Sequence, residues 1–541
     1  MEYSSLQLND LPDEILMNIF KKLDNITLLY SLIGDNIRLN RIVCDSIFTN
    51  RLTLVNFVPQ RLTMARPISI YFTYPLPDPI LDRFCLQILP EIHEKVKRLD
   101  LELLSMERIL RCTNYPNLSE ITLYNIEIER ALQFFSDESL FISTYKNQIS
   151  LFVIDIQSNG ERDTITDENP LLFTYIFNTF TNLKILDIGP YSIWHQYLSF
   201  DISSPNVISS TLLELHVNLN NFSDCLYLFD GRFNQLRIFH ANIEQITSNL
   251  VNNNKEKLPN LRSFRLYCDM NTKCYDELIL PFFHRMSNLE KLDLSLVVCM
   301  TKTFIDGNNL KLNIINHMPL LNEFKFNIRS STRFYNQFNL PSNEYVQQTF
   351  KNFQNKQIIS SVDYFKENGF SRCHIYSYPY ELTYYKYITN NFPGGIFERV
   401  RTVSLFDERP FEHEFFFQIA QSFPFLEKLT LINQKRQNNK QFRKSKNQNQ
   451  NSAIIEYPYL VELGLSEAHK DYHEQFLFDT KTCLPNNVCV CMDYRLVKKV
   501  TRNFRRNTTR SNCAKMSFVC FRNKSTFPEH LKDYFPHGKI I

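Results

Sequence analysis

The sequence predicts an α/β fold: a small three-helix unit, then an irregular solenoid with parallel strands on a concave side and helices on a convex side. Three observations predict it. A pattern of one leading apolar residue, two others, an apolar residue, one other and an apolar residue recurs along most of the chain. Stretches with apolar residues at helical spacing lie between the copies. A chain of 541 residues is also too long for one compact core unless it stacks repeats.

The first helix is written in residues 11–23. Leu11, Ile15, Ile19 and Leu23 recur every four residues with Leu16 and Phe20 beside them, which is one apolar helix face. Pro12 suits a first turn, where its missing N–H costs nothing. Asp13 and Glu14 suit the positive end of the helix dipole, and Lys21 and Lys22 the negative end. Asp24-Asn25 breaks the pattern, and Thr27 is placed to cap a second helix carrying Leu28, Leu29, Leu32 and Ile33. Gly34-Asp35-Asn36 is a further stop, after which Leu39, Ile42, Val43 and Ile47 give a third apolar face. Three helices this short bury little by themselves, and faces this broad call for a partner surface.

Leu11-Pro12-Asp13-Glu14-Ile15-Leu16, then Ile19-Phe20, then Leu23, Leu28 and Leu32, resembles the F-box motif across residues 8–47. The resemblance implies that residues 1–50 dock onto the Skp adaptor, and through it the cullin, of a Skp–cullin–F-box ubiquitin ligase. The docking residues it implies are Leu11, Pro12, Glu14, Ile15, Leu16, Ile19, Phe20, Leu23, Leu28 and Leu32. The second half departs from the family: Ile33-Gly34 and Arg38-Leu39-Asn40-Arg41 stand where a Val-Cys-x-x-Trp-like segment is usual. A bundle that merely caps the repeats is the alternative reading.

Residues 51–95 read as a connector punctuated by Pro59, Pro67, Pro75, Pro77 and Pro79. Residues 54–57 and 68–72 are short apolar strands, and a helix over 81–89 is expected to stop at Pro90.

From Val96 the repeat begins. Clean copies are Leu118-x-x-Ile121-x-Leu123, Leu261-x-x-Phe264-x-Leu266, Leu289-x-x-Leu292-x-Leu294 and Leu321-x-x-Phe324-x-Phe326. Val400-x-x-Val403-x-Leu405, Leu426-x-x-Leu429-x-Leu431 and Leu460-x-x-Leu463-x-Leu465 continue it, and looser copies start near Val96, Leu183, Leu212 and Leu236. The last two apolar residues of each copy alternate, so each copy ends in a short strand with one buried face. Helical faces fill the gaps at 129–142, 310–318 and 410–423, the last with Phe415, Phe416, Ile419, Ala420 and Phe423. This arrangement resembles the leucine-rich repeats over most of residues 96–467. The resemblance implies units that stack because none buries its apolar face alone. It also implies a protein substrate held on the concave strand face, with Glu290, Lys291, Asp293 and Ser295 as candidate contacts. The family's asparagine, three residues past the last leucine, is replaced by Ile126, Val297 and Gln434, so its usual buried ladder is not expected. A single non-repeat α/β domain is the alternative.

Residues 96–328 and 397–521 are the two halves of the array. Residues 329–396 carry no clean copy; they hold a helix over 342–353 and an aromatic run from Tyr376 to Tyr387. Residues 434–452 are nearly free of apolar side chains and read as a disordered loop. Val488, Val490 and Met492 then alternate as a strand, Val497, Val500 and Phe504 mark a helix face, and Met516, Phe518 and Cys520 mark a closing strand before a tail over 522–541.

Composition narrows the function. A net charge of +3 implies no strongly polyanionic partner. No basic region followed by an apolar run opens the chain, and no stretch reaches the roughly 20 apolar residues of a membrane span. Partners are therefore expected to be proteins rather than membranes, in the cytoplasm and/or nucleus. Cys489-Val490-Cys491 lacks a second pair or a histidine to complete a zinc pattern and reads as a buried reduced pair. Phosphate-loop, zinc-protease and nucleophile-elbow motifs are absent, so no catalysis, cofactor or metal is expected. His469 and His473 lack a third ligand and read as a solvated helix or loop. Trp194 reads as loop packing rather than a binding anchor. The basic stretches 435–446 and 498–510 would suit phosphate contacts, but a solvated face or a nuclear-localisation signal is preferred over nucleic-acid binding.

Overall fold

Near the N-terminus the chain folds into four short helices, Asp13–Phe20, Asn25–Leu32, Ile37–Val43 and Ser46–Thr49. The structure is a computed structural model describing residues 8–60, 70–136, 140–157, 168–189, 197–200, 206–248, 256–300, 303–333, 341–353, 357–438, 453–522, 527–528 and 530–541. It is mixed α/β with a large, parallel-rich sheet, and among the described residues the strands close no barrel. Two units divide the chain. One holds the N-terminal residues up to Gln60 with Ile70–Leu296 and Asn313–Phe324; the other holds Val297–Leu312 and Lys325–Ile541.

In the first unit, side-chain caps set where the N-terminal helices begin. Asp24, not Thr27, caps the second helix: its carboxylate accepts the Thr27 N–H at 2.9 Å, so the helix starts two residues before the expected cap. Asn36 accepts the Leu39 N–H at 2.7 Å to start the third helix, and Asp45 accepts the Ile47 N–H at 2.9 Å to start the fourth. Leu16, Phe20, Leu28, Leu29, Ile33, Leu39, Ile42, Val43 and Phe48 are buried, with Phe20 edge-on to Phe48.

The segment is also tied to residues 83–95. Arg83 donates to the Ile33 carbonyl at 3.0 Å and lies over the Tyr30 ring, Lys95 donates to the Cys44 carbonyl at 2.7 Å, and Asn40 donates to Glu91 at 3.4 Å. The supporting helical stretch runs Asp78–Arg83, Phe84–Ile88, Leu89–Ile92 and passes through Pro90 instead of ending there. Its middle five residues form a π-turn, whose wider spacing accommodates a proline with no N–H to give. The device recurs at Tyr275–Ile279 followed by Leu280–Phe283, where Pro281 takes the same place. The shared Ile-Leu-Pro, at 88–90 and 279–281, is its sequence signature.

The first unit's sheet runs Arg51–Thr53, Arg98–Glu102, Glu120–Glu127, Leu151–Gln157, Ile185–Ile188, Glu214–Asn221, Ile238–Gln245, Ser263–Thr272 and Lys291–Met300 in that order. Each pair through Ser263–Thr272 is parallel, with one register shift between Leu123 and Ile126, and the partners line up across strands, for example Asp187↔His216↔His240↔Arg265. Alternation sends Leu99/Leu101, Ile121/Leu123, Leu215/Val217, Phe264/Leu266 and Leu292/Leu294 into the core. The leading residues Val96, Leu118, Leu183, Leu212, Leu236, Leu261 and Leu289 are buried with them.

Asparagine side chains bridge the segments that lead into successive strands. Asn117, Asn182, Asn260 and Asn288, each one residue before a leading leucine, donate to the carbonyls of Glu94, Asn147, Asn234 and Pro259 at 2.7–2.9 Å. Polar side chains also turn the chain from strand to helix: Glu102 accepts the Leu104 and Ser105 N–H groups, and Asn221 accepts that of Phe222.

The second unit opens where the repeat lapses. Ile358–Phe365 and Phe370–Ser377 form an antiparallel hairpin, turned at Gly369 (φ +65°), that pairs antiparallel with Glu323–Arg333. The helix there is shorter than expected, Asn343–Gln348, capped by Ser342. Gly307 starts the helix Gly307–Asn313 against Thr349; a Cβ there would lie 2.5 Å from the Thr349 carbonyl oxygen.

A seven-stranded parallel sheet completes this unit in the order Tyr384–Ile388, Thr402–Phe406, Lys428–Asn433, Glu462–Ala468, Val488–Asp493, Met516–Arg522, Lys539–Ile540. The closing strand marked by Met516, Phe518 and Cys520 is present as Met516–Arg522; a register shift between Val488 and Cys489 moves its inward face to Val519 and Phe521, so Phe518 and Cys520 are half-exposed. Cys489 and Cys491 are likewise half-exposed rather than buried. The helix Lys470–Leu477, expected to be solvated, is buried from Asp471 to Leu477, polar residues included.

Candidate docking surface and polar sheet face

Helical phase splits the predicted docking residues. Ile15 is 46% exposed, Ile19 39% and Leu23, just past the helix end, 47%, whereas Phe20 is 1% exposed. Leu16 and Leu28 are interior with Phe20, so these three hold the segment together and offer a visitor nothing. Leu11 and Leu32 are half-buried, and Pro12 and Glu14 are exposed. Leu8, Ile37 and Ile47 are further exposed apolar residues of the same segment that the docking set omitted.

Charge fixes the presenting helix. Asp13 pairs with Arg38 at 2.6 Å and Arg41 at 2.8 Å, and Arg38 also donates to the Leu11 carbonyl at 2.5 Å. The Arg38 hydrogen bond, ahead of the Arg41 contact, holds the Asp13 carboxyl below its ordinary range. The first helix is thus pinned to the third with Ile15 and Ile19 turned outward.

The second surface is the polar face of the first unit's sheet. Lys291, Asp293 and Ser295 alternate with the buried leucines of their strand and share its outer face, and Glu290 precedes the strand. Three of the four candidate contacts are engaged with neighbouring strands: Glu290 with Arg262 at 3.4 Å, Lys291 with Glu323 at 3.5 Å and Asp293 with Arg265 at 2.8 Å. Sequence reading missed the row that continues from them. His240 stacks on His216 with ring centroids 4.2 Å apart, and His216 lies 3.4 Å from Asp187 and 2.8 Å from Glu214. The missed signal was a titratable residue at the same position of successive copies.

The row's protonation is polarised. Burial disfavours a charge on His216, but Asp187 and Glu214 outweigh it and raise its pKa; burial, then the charges of His216 and Arg265, take His240 down to about 3. Asp155 is pushed up to about 7 by burial and by the nearby Asp187 charge. The face therefore carries carboxylates at Asp187, Glu214 and Asp293, cations at Arg265 and Lys291 and a neutral imidazole at His240, which suits a charged polypeptide more than an apolar one.

The basic segment lies on the helices Tyr494–Val500 and Asn507–Ala514, joined by a turn in which Arg502, Asn503 and Phe504 take positive φ. Arg495, Lys498, Lys499, Arg502, Arg505 and Arg510 are exposed. Trp194 and loop residues 439–452 lie outside the described residues. Among the described residues no helix is long and apolar enough to cross a membrane, and no group of three His, Cys, Asp or Glu side chains is arranged to hold a metal ion. No protein-family model matches the chain, and no curated protein matches its sequence.

Proposed function

We propose that the chain is the substrate-recruiting subunit of a Skp–cullin–F-box ubiquitin ligase. Residues 1–50 act as the F-box, and a leucine-rich-repeat solenoid carries the cargo. The observation that supports this reading is the apolar stripe of Ile15 and Ile19, continued by Leu23 just past the helix end, left exposed beside the packed Leu16 and Phe20 of the same helix. The Skp adaptor covers that stripe, and the cullin follows through it. A protein substrate rests on the polar sheet face, where Glu290, Lys291, Asp293 and Ser295 extend the charged row of Asp187, His216 and Arg265. The chain makes and breaks no bond itself; holding the substrate near the conjugating enzyme raises its effective concentration. The test is binding of purified Skp adaptor to the wild-type chain and to Ile19→Asp. Binding that survives the substitution unchanged sinks the reading.

One observation favours a repeat scaffold without a ligase: the N-terminal helices also pack on their own chain through Arg83, Lys95 and Asn40. A scaffold of that kind ignores the Skp adaptor at any concentration while keeping its protein ligands.

A further inference from the structure

We infer that the exposed cations of the helices Tyr494–Val500 and Asn507–Ala514, and of the turn between them, form a binding surface for the phosphate backbone of a double-stranded nucleic acid. Arg495, Lys498 and Lys499 share one face of the first helix, at the spacing i, i+3, i+4, over about 6 Å. Arg502 and Arg505 follow on the turn and Arg510 on the second helix. All six are exposed, and none is in an ion pair with another described residue. On the sheets the pattern is the opposite: Arg262, Arg265, Lys291, Arg401 and Lys428 each face a carboxylate. No carboxylate occurs between Tyr494 and Lys515, whereas eight arginines and lysines do. The net charge of +3 hides this concentration, because the remainder of the chain is acidic on balance.

The surface is held in place from behind. Tyr494, Val497 and Val500 on the first helix and Thr509 and Cys513 on the second are buried. Between them Arg502, Asn503 and Phe504 take φ of +52°, +58° and +60°, a region that residues with a Cβ avoid. Phe504 pegs that turn. It is buried, its ring lies 5.9 Å from that of Tyr494 and 5.7 Å from that of Tyr534, and its N–H donates to the Thr501 hydroxyl at 3.0 Å. Arg506 serves the same turn, donating to the Val500 carbonyl at 3.1 Å and lying over the Phe478 ring. The segment cannot leave as an extended peptide without exposing that core, so its cations act from a fixed surface.

The exposed chemistry selects the partner. Four of the six cations are arginines, whose planar forks grip two phosphate oxygens at once. Asn503, Asn507, Thr508 and Ser511 lie exposed between them and are groups that donate to phosphate and sugar oxygens. Among residues 494–515 no large apolar side chain is exposed, so nothing there inserts into a bilayer or forms the apolar centre of a protein interface. No aromatic ring is exposed among them either, so unstacked bases find no platform. A duplex, with twice the phosphate density of one strand, fits better than a single strand. Contacts of this kind read no sequence, and DNA and RNA duplexes present the same phosphate chemistry. This inference does not depend on the adaptor reading.

The test is fluorescence anisotropy of labelled DNA and RNA duplexes of about 20 base pairs with the full-length chain, from about 50 to 200 mM salt. Binding is expected at the low end and should weaken with a log–log slope of about −5 if all six cations meet phosphates. Lys498→Ala with Lys499→Ala should lower affinity at least tenfold and flatten the slope by about 2. Lys21→Ala with Lys22→Ala, the same charge change at another exposed pair, should alter neither. Equal binding of the two duplexes shows that phosphate alone is read, and a preference names the source. No binding to either duplex at low salt, tighter binding to poly-glutamate or to phosphatidylserine vesicles, or an unchanged slope in the Lys498/Lys499 variant would overturn the inference. Should that variant fail to fold, footprinting of the wild type decides: the duplex must shield Lys498 and Lys499 from acetylation and leave Lys21 and Lys22 reactive.

Discussion

Two adjacent residues separate the docking account from a purely structural one. Full burial of an isoleucine or leucine side chain is worth about 1.5–3 kcal/mol. Ile15, Ile19 and Leu23 keep 46%, 39% and 47% of their surface. A partner that covers all three therefore gains about 2–4 kcal/mol, roughly 30- to 1000-fold in affinity. Ile19→Asp forfeits its share and sets an unpaired carboxylate against an apolar surface, so affinity for the Skp adaptor should fall at least ~100-fold. The free chain should lose about 1–2 kcal/mol, the share of Ile19 that is already packed, because the side chain keeps 39% of its surface exposed. Phe20→Ala should do the reverse and cost about 3–5 kcal/mol of stability, because Phe20 is core. Denaturant melts and titration calorimetry read the two quantities separately. If Ile19→Asp destabilised the chain as much as Phe20→Ala, or left affinity intact, the division into packed and presented faces would be wrong.

Three further outcomes are expected. Gly307→Ala should lower the denaturant midpoint by an amount equivalent to about 1–3 kcal/mol, because its Cβ would meet the Thr349 carbonyl; a neutral result would mean that helix shifts freely. Burial holds His473 down to about 4 and leaves it neutral in the folded chain, while the unfolded chain titrates near 6.5. The unfolded state thus binds the extra proton between those values, and stability falls as pH drops from about 6.5 towards 4. His240 acts in the same direction, and the raised pKa of His216 opposes them. His473→Gln should flatten that slope by about 2–4 kcal/mol across the window, and an unchanged slope in pH-dependent melts would contradict the assignment. Asn260→Ala and Asn288→Ala should each cost about 0.5–1.5 kcal/mol through the lost bridge between repeats, as read from denaturant midpoints; no change in either would deny those bonds a role.

The leading leucines were legible because each must fill the same interior position, and the strand alternation came from a period of two. The N-terminal helices were legible for the same kind of reason, but their orientation was not. Ile15, Ile19, Leu16 and Phe20 all lie on one broad apolar arc, and only tertiary packing decides which edge turns inward. Thr27 lost the cap to Asp24 because both residues suit it and three positions cannot be told apart without the backbone. Pro90 read as a stop because a π-turn leaves no trace in hydrophobic period, though the shared Ile-Leu-Pro hinted at one. A single-residue bulge at Val488/Cys489 was enough to exchange Phe518 and Cys520 for Val519 and Phe521. His473 read as solvated because its neighbours in sequence are polar, whereas its burial comes from residues distant along the chain. The charged row on the sheet face was spread over several strands and became visible only in register.

The most direct measurement is size-exclusion chromatography of the full-length chain mixed with purified Skp adaptor at micromolar concentration. The adaptor reading predicts one co-eluting complex, lost with Ile19→Asp while that variant elutes as a folded protein. Separate elution of the wild-type chain and the adaptor would contradict it.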